Sequence, residues 1–191
     1  MQNFVFEIPT KIIFGREQIN KIGAEIKRHG IKKILLVYGD GSIKENGVYQ
    51  QVTTSLLNAA IPFIEFSGVR SNPILSHVHK GILVAKNEQV DAILAVGGGS
   101  VIDSAKAISA GVKSTGDVWD FFTYKSVIND ALPIFCVLTL SASASEMNGA
   151  AVITNEDGAC KFSIRSPLLV PKVSVLDPTT LFSLPPKYTA Y

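Results

Sequence analysis

The 191 residues are 47% apolar, enough to bury a substantial core in one domain with at most a small appendage. The net charge is +2, and the basic residues, among them Lys27, Lys33, Lys44, Lys80 and Lys106, are scattered with no run that could track a phosphate backbone, which argues against nucleic acid as a partner. No apolar run approaches the roughly 20 residues of a membrane span, the start MQNFVFEIPT lacks a basic segment followed by an apolar one, and the two cysteines, Cys136 and Cys160, read as buried free thiols, so a soluble, cytoplasmic protein is expected.

In chain order, Val5 to Ile8 and Lys11 to Phe14 read as two short strands across Pro9 and predict an edge hairpin within residues 1–15. Ile19, Ile22 and Ile26 recur at helical spacing up to Gly30, a residue able to end a helix with positive φ. Lys33 to Tyr38 is a continuous apolar run that stops at Gly39, the texture of a strand buried on both faces of a parallel sheet. Val48, Val52 and Leu56 give a helix before Pro62, and Phe63 to Phe66 gives a strand. Leu75, Val78, Ile82 and Ala85 mark the next helix, Ala92 to Val96 another buried strand, Ser100 to Val112 a helix and Ile134 to Leu138 a further strand. This β-α alternation predicts an α/β fold, a Rossmann-like parallel sheet with helices on both faces and right-handed crossovers. From 150 to 176 the pieces Ala151 to Thr154, Cys160 to Ile164 and Val173 to Leu176, broken by Gly158, Pro167 and Pro171, predict a small mixed-β flap. Leu184-Pro185-Pro186 places a proline where a helix starts, and the chain is expected to stop as that helix begins.

Two glycine clusters follow predicted strands, where an open α/β sheet holds its ligand. In Gly97-Gly98-Gly99-Ser100-Val101-Ile102-Asp103, a strand enters a turn without Cβ atoms and then a helix. Backbone N–H groups there can approach a pyrophosphate closely, helped by the helix dipole. Ser100 can cap the helix or give its hydroxyl to a phosphate, and Asp103 is read in the first turn. The alternative is a tight, well-capped turn without a ligand, but three consecutive glycines carry an entropic cost that a plain turn does not need. A P-loop is excluded because no Lys-Ser or Lys-Thr follows, the Gly-x-Gly-x-x-Gly fingerprint is absent, and Gly99-Ser100-Val101 lacks the second glycine of a nucleophile elbow. Asp40 to Glu45 starts like a calcium loop but carries Lys44 and Glu45 where a ligand and a glycine are required. Tyr38-Gly39-Asp40-Gly41-Ser42 reads instead as the turn at the far end of the nucleotide, with Asp40 accepting the hydroxyls of an adenosine ribose.

Gly97 to Lys106 resembles the Gly-Gly-Gly-Ser-x-x-Asp-x-x-Lys stretch of the iron-containing (group III) alcohol dehydrogenases, and Tyr38 to Val48 resembles their butanol dehydrogenase branch. The resemblance continues through Ser71-Asn72-Pro73, Leu138-Thr139-Leu140, Ser145-Glu146, Lys161, Asp177-Pro178 and Leu184-Pro185-Pro186, so it covers the whole chain as that family's N-terminal, NAD(P)-binding domain. Where the family usually has Thr-Leu-Pro-Ala-Thr-Gly-Ser-Glu, this chain has Thr139 to Glu146 with Ser141 for the Pro and Ala144 for the Gly; Ser143 keeps a hydroxyl. The resemblance implies a cofactor across the strand ends. Gly98, Gly99 and Ser100 would hold its pyrophosphate, with Asp103 orienting the turn or facing the nicotinamide. Thr139 and Ser143 would contact adenosine and phosphate, Lys161 a ribose and Leu181 the adenine, with Asn72 on the cleft border.

It further implies hydride transfer between NAD(P) and a primary alcohol or aldehyde. In the family one Asp and three His of a C-terminal helical domain hold a divalent metal, Fe²⁺ or Zn²⁺, and that domain is expected to be absent here. Asp40 leans the cofactor choice to NAD, whereas Ser42 and Lys44 offer a donor and a cation suited to NADP. A homodimer through the N-terminal edge strands is expected. The rival reading is a catalytically inactive nucleotide-binding module or truncation product.

Other candidates are weaker. His77 and His79, two apart on a helix, point to different sides and cannot chelate jointly. Trp119 to Phe122 reads as core in preference to a stacking platform, and Glu146 with Asn148 as a loop brace in preference to an acid/base pair.

Overall fold

The computed structural model describes residues 7–182. Val5 and Phe6 of the first expected strand and the helix start at Leu184-Pro185-Pro186 lie outside them. The strands are β1 (Lys11–Phe14), β2 (Ile34–Tyr38), β3 (Phe63–Phe66), β4 (Ala92–Gly97), β5 (Ile134–Leu138), β6 (Ala150–Asn155), β7 (Cys160–Arg165) and β8 (Val173–Leu176). The helices are α1 (Ile22–Arg28), α2 (Ser42–Glu45), α3 (Val48–Asn58), α4 (Leu75–Asn87), α5 (Gly99–Lys113) and α6 (Trp119–Phe122).

Six strands form one parallel sheet in the order β1-β8-β5-β4-β2-β3. Every residue of β2, β4 and β5 is buried, because helices cover both faces and the pleat sends alternate side chains to opposite cores. Ile34, Leu36, Leu94, Val96, Phe135 and Val137 pack on one side with α1 and α3. Leu35, Val37, Ile93, Ala95, Ile134 and Cys136 pack on the other with α4, α5 and α6. The Cys136 thiol is fully buried, and burial pushes its pKa up to about 12, so it behaves as a small apolar group.

One expectation changes. The flap is the antiparallel pair β6-β7 alone; Val173 to Leu176, predicted to belong to it, is instead a strand of the main sheet between β1 and β5. Its Ser174 is completely buried and donates its hydroxyl to the Glu146 carbonyl at 2.6 Å, which satisfies a polar group inside the sheet. Lys11–Phe14 pairs in parallel with Val173–Leu176; Glu7 and Ile8 carry no strand, and Val5 and Phe6, on which the expected hairpin also depends, lie outside the described residues.

The flap is fastened to the sheet at the start of α4. Thr154 N–H donates to the Pro73 carbonyl at 2.8 Å, and the Ser76 hydroxyl donates to Glu156 at 2.6 Å.

Candidate dinucleotide site

The chain leaves β2 outward to β3, then returns to β4 on the other side of β2 and proceeds outward through β5 to β8. The strand order therefore reverses between β2 and β4, the switch point at whose carboxyl ends open α/β sheets bind ligands. The turns that meet there are Gly39 to Ser42 after β2 and Gly98 to Ser100 after β4, with the Thr139 to Ala144 loop beside them after β5.

The N-cap of α5 is Gly98, so Ser100 lies inside the helix and does not cap it. The N–H groups of Gly99 and Ser100 have no acceptor among the described residues, leaving donors at the positive end of a 15-residue helix. A Cβ on Gly98 would come within 3.1 Å of the Leu140 Cβ, and one on Gly99 would collide with the Ser143 hydroxyl. The two glycines thus form a cradle that side chains would fill. It fits a phosphate group lying against the backbone.

Asp103 falls in the second turn and points away from the cradle. Its Oδ1 accepts from the Ser145 hydroxyl at 2.6 Å and its Oδ2 from Val152 N–H at 3.1 Å. Burial raises its pKa above the usual carboxylate range, opposed by these hydrogen bonds and by the charge of Lys106. These bonds tie α5 to the post-β5 loop and the flap.

Lys106, grouped with the scattered basic residues by sequence, is fully buried. Its Nζ donates to the Ser145 carbonyl and hydroxyl (2.7 and 2.9 Å), to Asn148 Oδ1 (3.2 Å) and to the Ala150 carbonyl (2.8 Å). Burial lowers its pKa to about 8. The signal was present in the sequence, since Lys106 sits three residues after Asp103 among Ala105, Ala107 and Ile108 on a largely buried helix. Asn148 completes the brace by donating to the Ala144 carbonyl at 2.8 Å, and the Glu146 carbonyl accepts from Ser174.

On the β2 side, Asp40 and Ser42 are exposed and Gly41 takes φ +128° at the start of α2. The side chains of Asp40, Ser42, Ser100, Thr139 and Ser143 have no hydrogen-bond partner among the described residues. Lys44 turns instead to Glu65 of β3, 3.5 Å away, over the rings of Tyr38 and Tyr49. Sequence gave no signal for that partnership, because Glu65 is a lone exposed residue on a four-residue strand.

Lys161, from the flap, and Asn72, from the loop before α4, are brought together: the ammonium donates to Asn72 Oδ1 at 2.8 Å, with Asn72 held at φ +56°. Leu181 lines a small cleft of about 100 Å³ at the ends of β5, β8 and β1, together with Leu138, Ser141, Thr180 and Phe14. Asp177 caps the turn that presents Leu181, accepting from Thr179 N–H at 3.0 Å.

His77 and His79 diverge as expected: Nε2 of His77 meets the Ser67 carbonyl and that of His79 meets Asp117, each at 2.9 Å. Trp119 stacks on Phe122 and Phe162, with Phe121 and Phe122 buried, which makes this aromatic group part of the core. Among the described residues there is no group of three or more His, Cys, Asp or Glu able to hold a metal ion. The residues described here therefore do not fit the metal implied by the resemblance.

A six-stranded parallel Rossmann-like sheet with glycine turns at its reversal point is the architecture that residues 7–182 define, and the chain belongs to the iron-containing alcohol dehydrogenase family, matched over residues 9–178. Among curated proteins it is similar to a probable NADH-dependent butanol dehydrogenase 1 of Bacillus subtilis, 49% identical over 191 residues that make up all of this chain and 49% of that protein. NADH-dependent butanol dehydrogenase A of Clostridium acetobutylicum is 47% identical over 190 residues, with 100% and 49% covered. The crystal structure of NADH-dependent butanol dehydrogenase A from Thermotoga maritima superposes with a TM-score of 0.96 at 57% identity, over 100% of this chain and 48% of that one. The chain thus spans about half the length of the curated relatives it matches. No helix among the described residues is long and apolar enough to cross a membrane.

Proposed function

We propose that this chain binds a nicotinamide dinucleotide across the β2–β4 switch point, as the cofactor-binding part of an oxidoreductase of primary alcohols and aldehydes. The observation that carries the reading is the Gly98–Gly99 cradle, with two unpartnered N–H groups at the start of α5. The pyrophosphate lies on Gly98, Gly99 and Ser100. Asp40 accepts ribose hydroxyls, with Gly41 and Ser42 shaping that turn, and Leu181 meets the adenine. Thr139 and Ser143 line the strand ends, and Lys161 with Asn72 closes the flap side. A bound nicotinamide supplies a C4 that exchanges hydride with the carbinol carbon.

The preference is for NAD(H), since a carboxylate at Asp40 disfavours a 2′-phosphate. The two curated relatives named above, at 49% and 47% identity, are both NADH-dependent by name and support that choice, whereas relatives at 35% identity are named NADPH- or NADP-dependent. A homodimer through the N-terminal edge strands, where β1 is the outermost strand among the described residues and Phe14 is 71% exposed, and a cytoplasmic location belong to the same proposal.

The test is calorimetric titration of the chain with NADH, with Gly98→Val as the control. A β-branched side chain at the cradle is expected to weaken binding at least about tenfold while leaving the fold intact. A folded Gly98→Val chain that binds as tightly as the parent would refute the site.

A second reading, kept because no three-donor cluster occurs among the described residues, is a catalytically inactive nucleotide-binding module. Alcohol-dependent NADH formation by the purified, mass-verified chain with added Fe²⁺ or Zn²⁺ would refute it.

A further inference from the structure

The cluster at the end of β3 has no part in the contacts proposed above. Glu65 accepts hydrogen bonds from two phenol hydroxyls, Tyr38 at 2.5 Å and Tyr49 at 2.6 Å. These bonds, Tyr38 foremost, hold the carboxyl below its usual pKa, so it is charged at neutral pH. The Lys44 ammonium stands 3.5 Å from the same carboxylate, 5.2 Å from the Tyr38 ring centroid and 4.7 Å from that of Tyr49. An anion and two ring faces thus share one cation. Lys44 sits on α2, directly after the Asp40–Gly41 turn, and is the only Lys or Arg between Lys33 and Arg70.

A 2′-phosphate brings roughly −1.5 to −2 charges into a turn that already carries Asp40. The cation closest in sequence for offsetting them is Lys44, and Glu65 has already matched it. Asp40, Glu65 and Lys44 together sum to one net negative charge.

We propose that Glu65 is a cofactor-selectivity residue: by holding Lys44 against Tyr38 and Tyr49 it withholds the neighbouring cation from a 2′-phosphate and so favours NAD(H) over NADP(H). This rests on the dinucleotide reading above. With Glu65 neutral, only ring faces restrain Lys44, and its flexible four-carbon stem is free to reach the turn. NADPH then meets a site whose three side chains carry no net negative charge.

The test is the dissociation constants of NADH and NADPH, measured by calorimetry on the parent chain, Glu65→Gln and Glu65→Gln/Lys44→Met. Glu65→Gln is expected to tighten NADPH about fivefold and to move NADH less than about twofold, the scale of an exposed ion pair. High salt is expected to shrink the gain, and the double variant, which removes both charges, to return NADPH to the parent value. An unchanged NADPH-to-NADH ratio in folded Glu65→Gln overturns the inference, as does a gain that persists in the double variant. If Gly98→Val still weakens NADH in the same series, the dinucleotide reading survives that failure. Should the parent bind neither dinucleotide, both fall. If Glu65→Gln does not fold, Glu65→Asp, one methylene short of Lys44, is expected to shift NADPH the same way by about twofold, and no shift overturns the inference.

Discussion

Lys106 reaches Ser145 twice, at its carbonyl oxygen (2.7 Å) and at its hydroxyl (2.9 Å), so a buried ammonium fastens the post-β5 loop to the helix that starts at the glycine cradle. Replacing it by the apolar, similarly sized Met strands the carbonyls of Ser145 and Ala150 and leaves Asp103 without its cationic neighbour. Lys106→Met is expected to destabilise the fold by about 3–5 kcal/mol, the range for breaking one side of a buried charged network. Urea unfolding measures it, and a midpoint equal to the parent's would show that the brace carries no energy.

The same lysine predicts a pH dependence. Its folded pKa is lowered to about 8 by burial, below its ordinary value of 10.5, so between these values the unfolded chain binds more protons than the folded one. Stability contributed by this group is therefore least below about 8 and grows as pH rises towards 10.5. The stability gap between parent and Lys106→Met is expected to widen over that window. A gap that is flat or narrows from pH 8 to 10 rules out the lowered pKa.

Two glycines near the site differ in what faces them. A Cβ on Gly149 would collide with the Ser166 carbonyl oxygen and lie 3.1 Å from its carbon, backbone atoms already held by the Ser166 N–H to Gly149 carbonyl bond. A Cβ on Gly99 meets only the exposed Ser143 hydroxyl, which can rotate aside. Gly149→Ala is expected to cost about 3 kcal/mol and Gly99→Ala under about 1 kcal/mol. Thermal unfolding of the pair decides the matter, and equal losses would contradict the geometry.

Ala144 stands at φ +52°, in the left-handed region, at the position where the family resemblance places a glycine. Its carbonyl is held by Asn148, so the surrounding loop enforces the conformation. Ala144→Gly is expected to stabilise the folded chain by up to about 1 kcal/mol, relief of side-chain strain being partly offset by the freer unfolded backbone. A lower melting temperature in that variant would refute the strain.

Asp40→Gly is expected to raise NADPH affinity by removing a carboxylate from the ribose end of the site. Fluorescence titration with both reduced cofactors reads it, and an unaltered preference would take Asp40 out of cofactor choice.

The interior of the sheet was legible because β2, β4 and β5 are buried on both faces, and double burial writes an unbroken apolar run that needs no partner to interpret. The glycine turn was legible for a similar reason: the lack of Cβ atoms is itself what leaves the cradle open. What sequence missed depends on partners distant in the chain. Val173 to Leu176 looks like part of the flap until β1 and β5 flank it, and Lys106 looks like a surface charge until Ser145, Asn148 and Ala150 surround it. Lys44 is read from the sequence as a cation just after the Asp40–Gly41 turn, but its restraint by Glu65 requires two strands to lie side by side.

The pairing of Lys11 with Val173 orders events during synthesis. On a ribosome, β2, β3 and β4 can associate once the first hundred or so residues have emerged, since they pair only with one another and β5. Among the described residues β1 has no such early partner. It must wait until almost the whole chain described here is made before β8 arrives between it and β5. Closing so long a loop is slow relative to the local β-α-β steps. During that interval Ile13, partly buried against the core once β1 is paired, has no cover, which makes β1 a segment in need of protection by chaperones while the protein is being made.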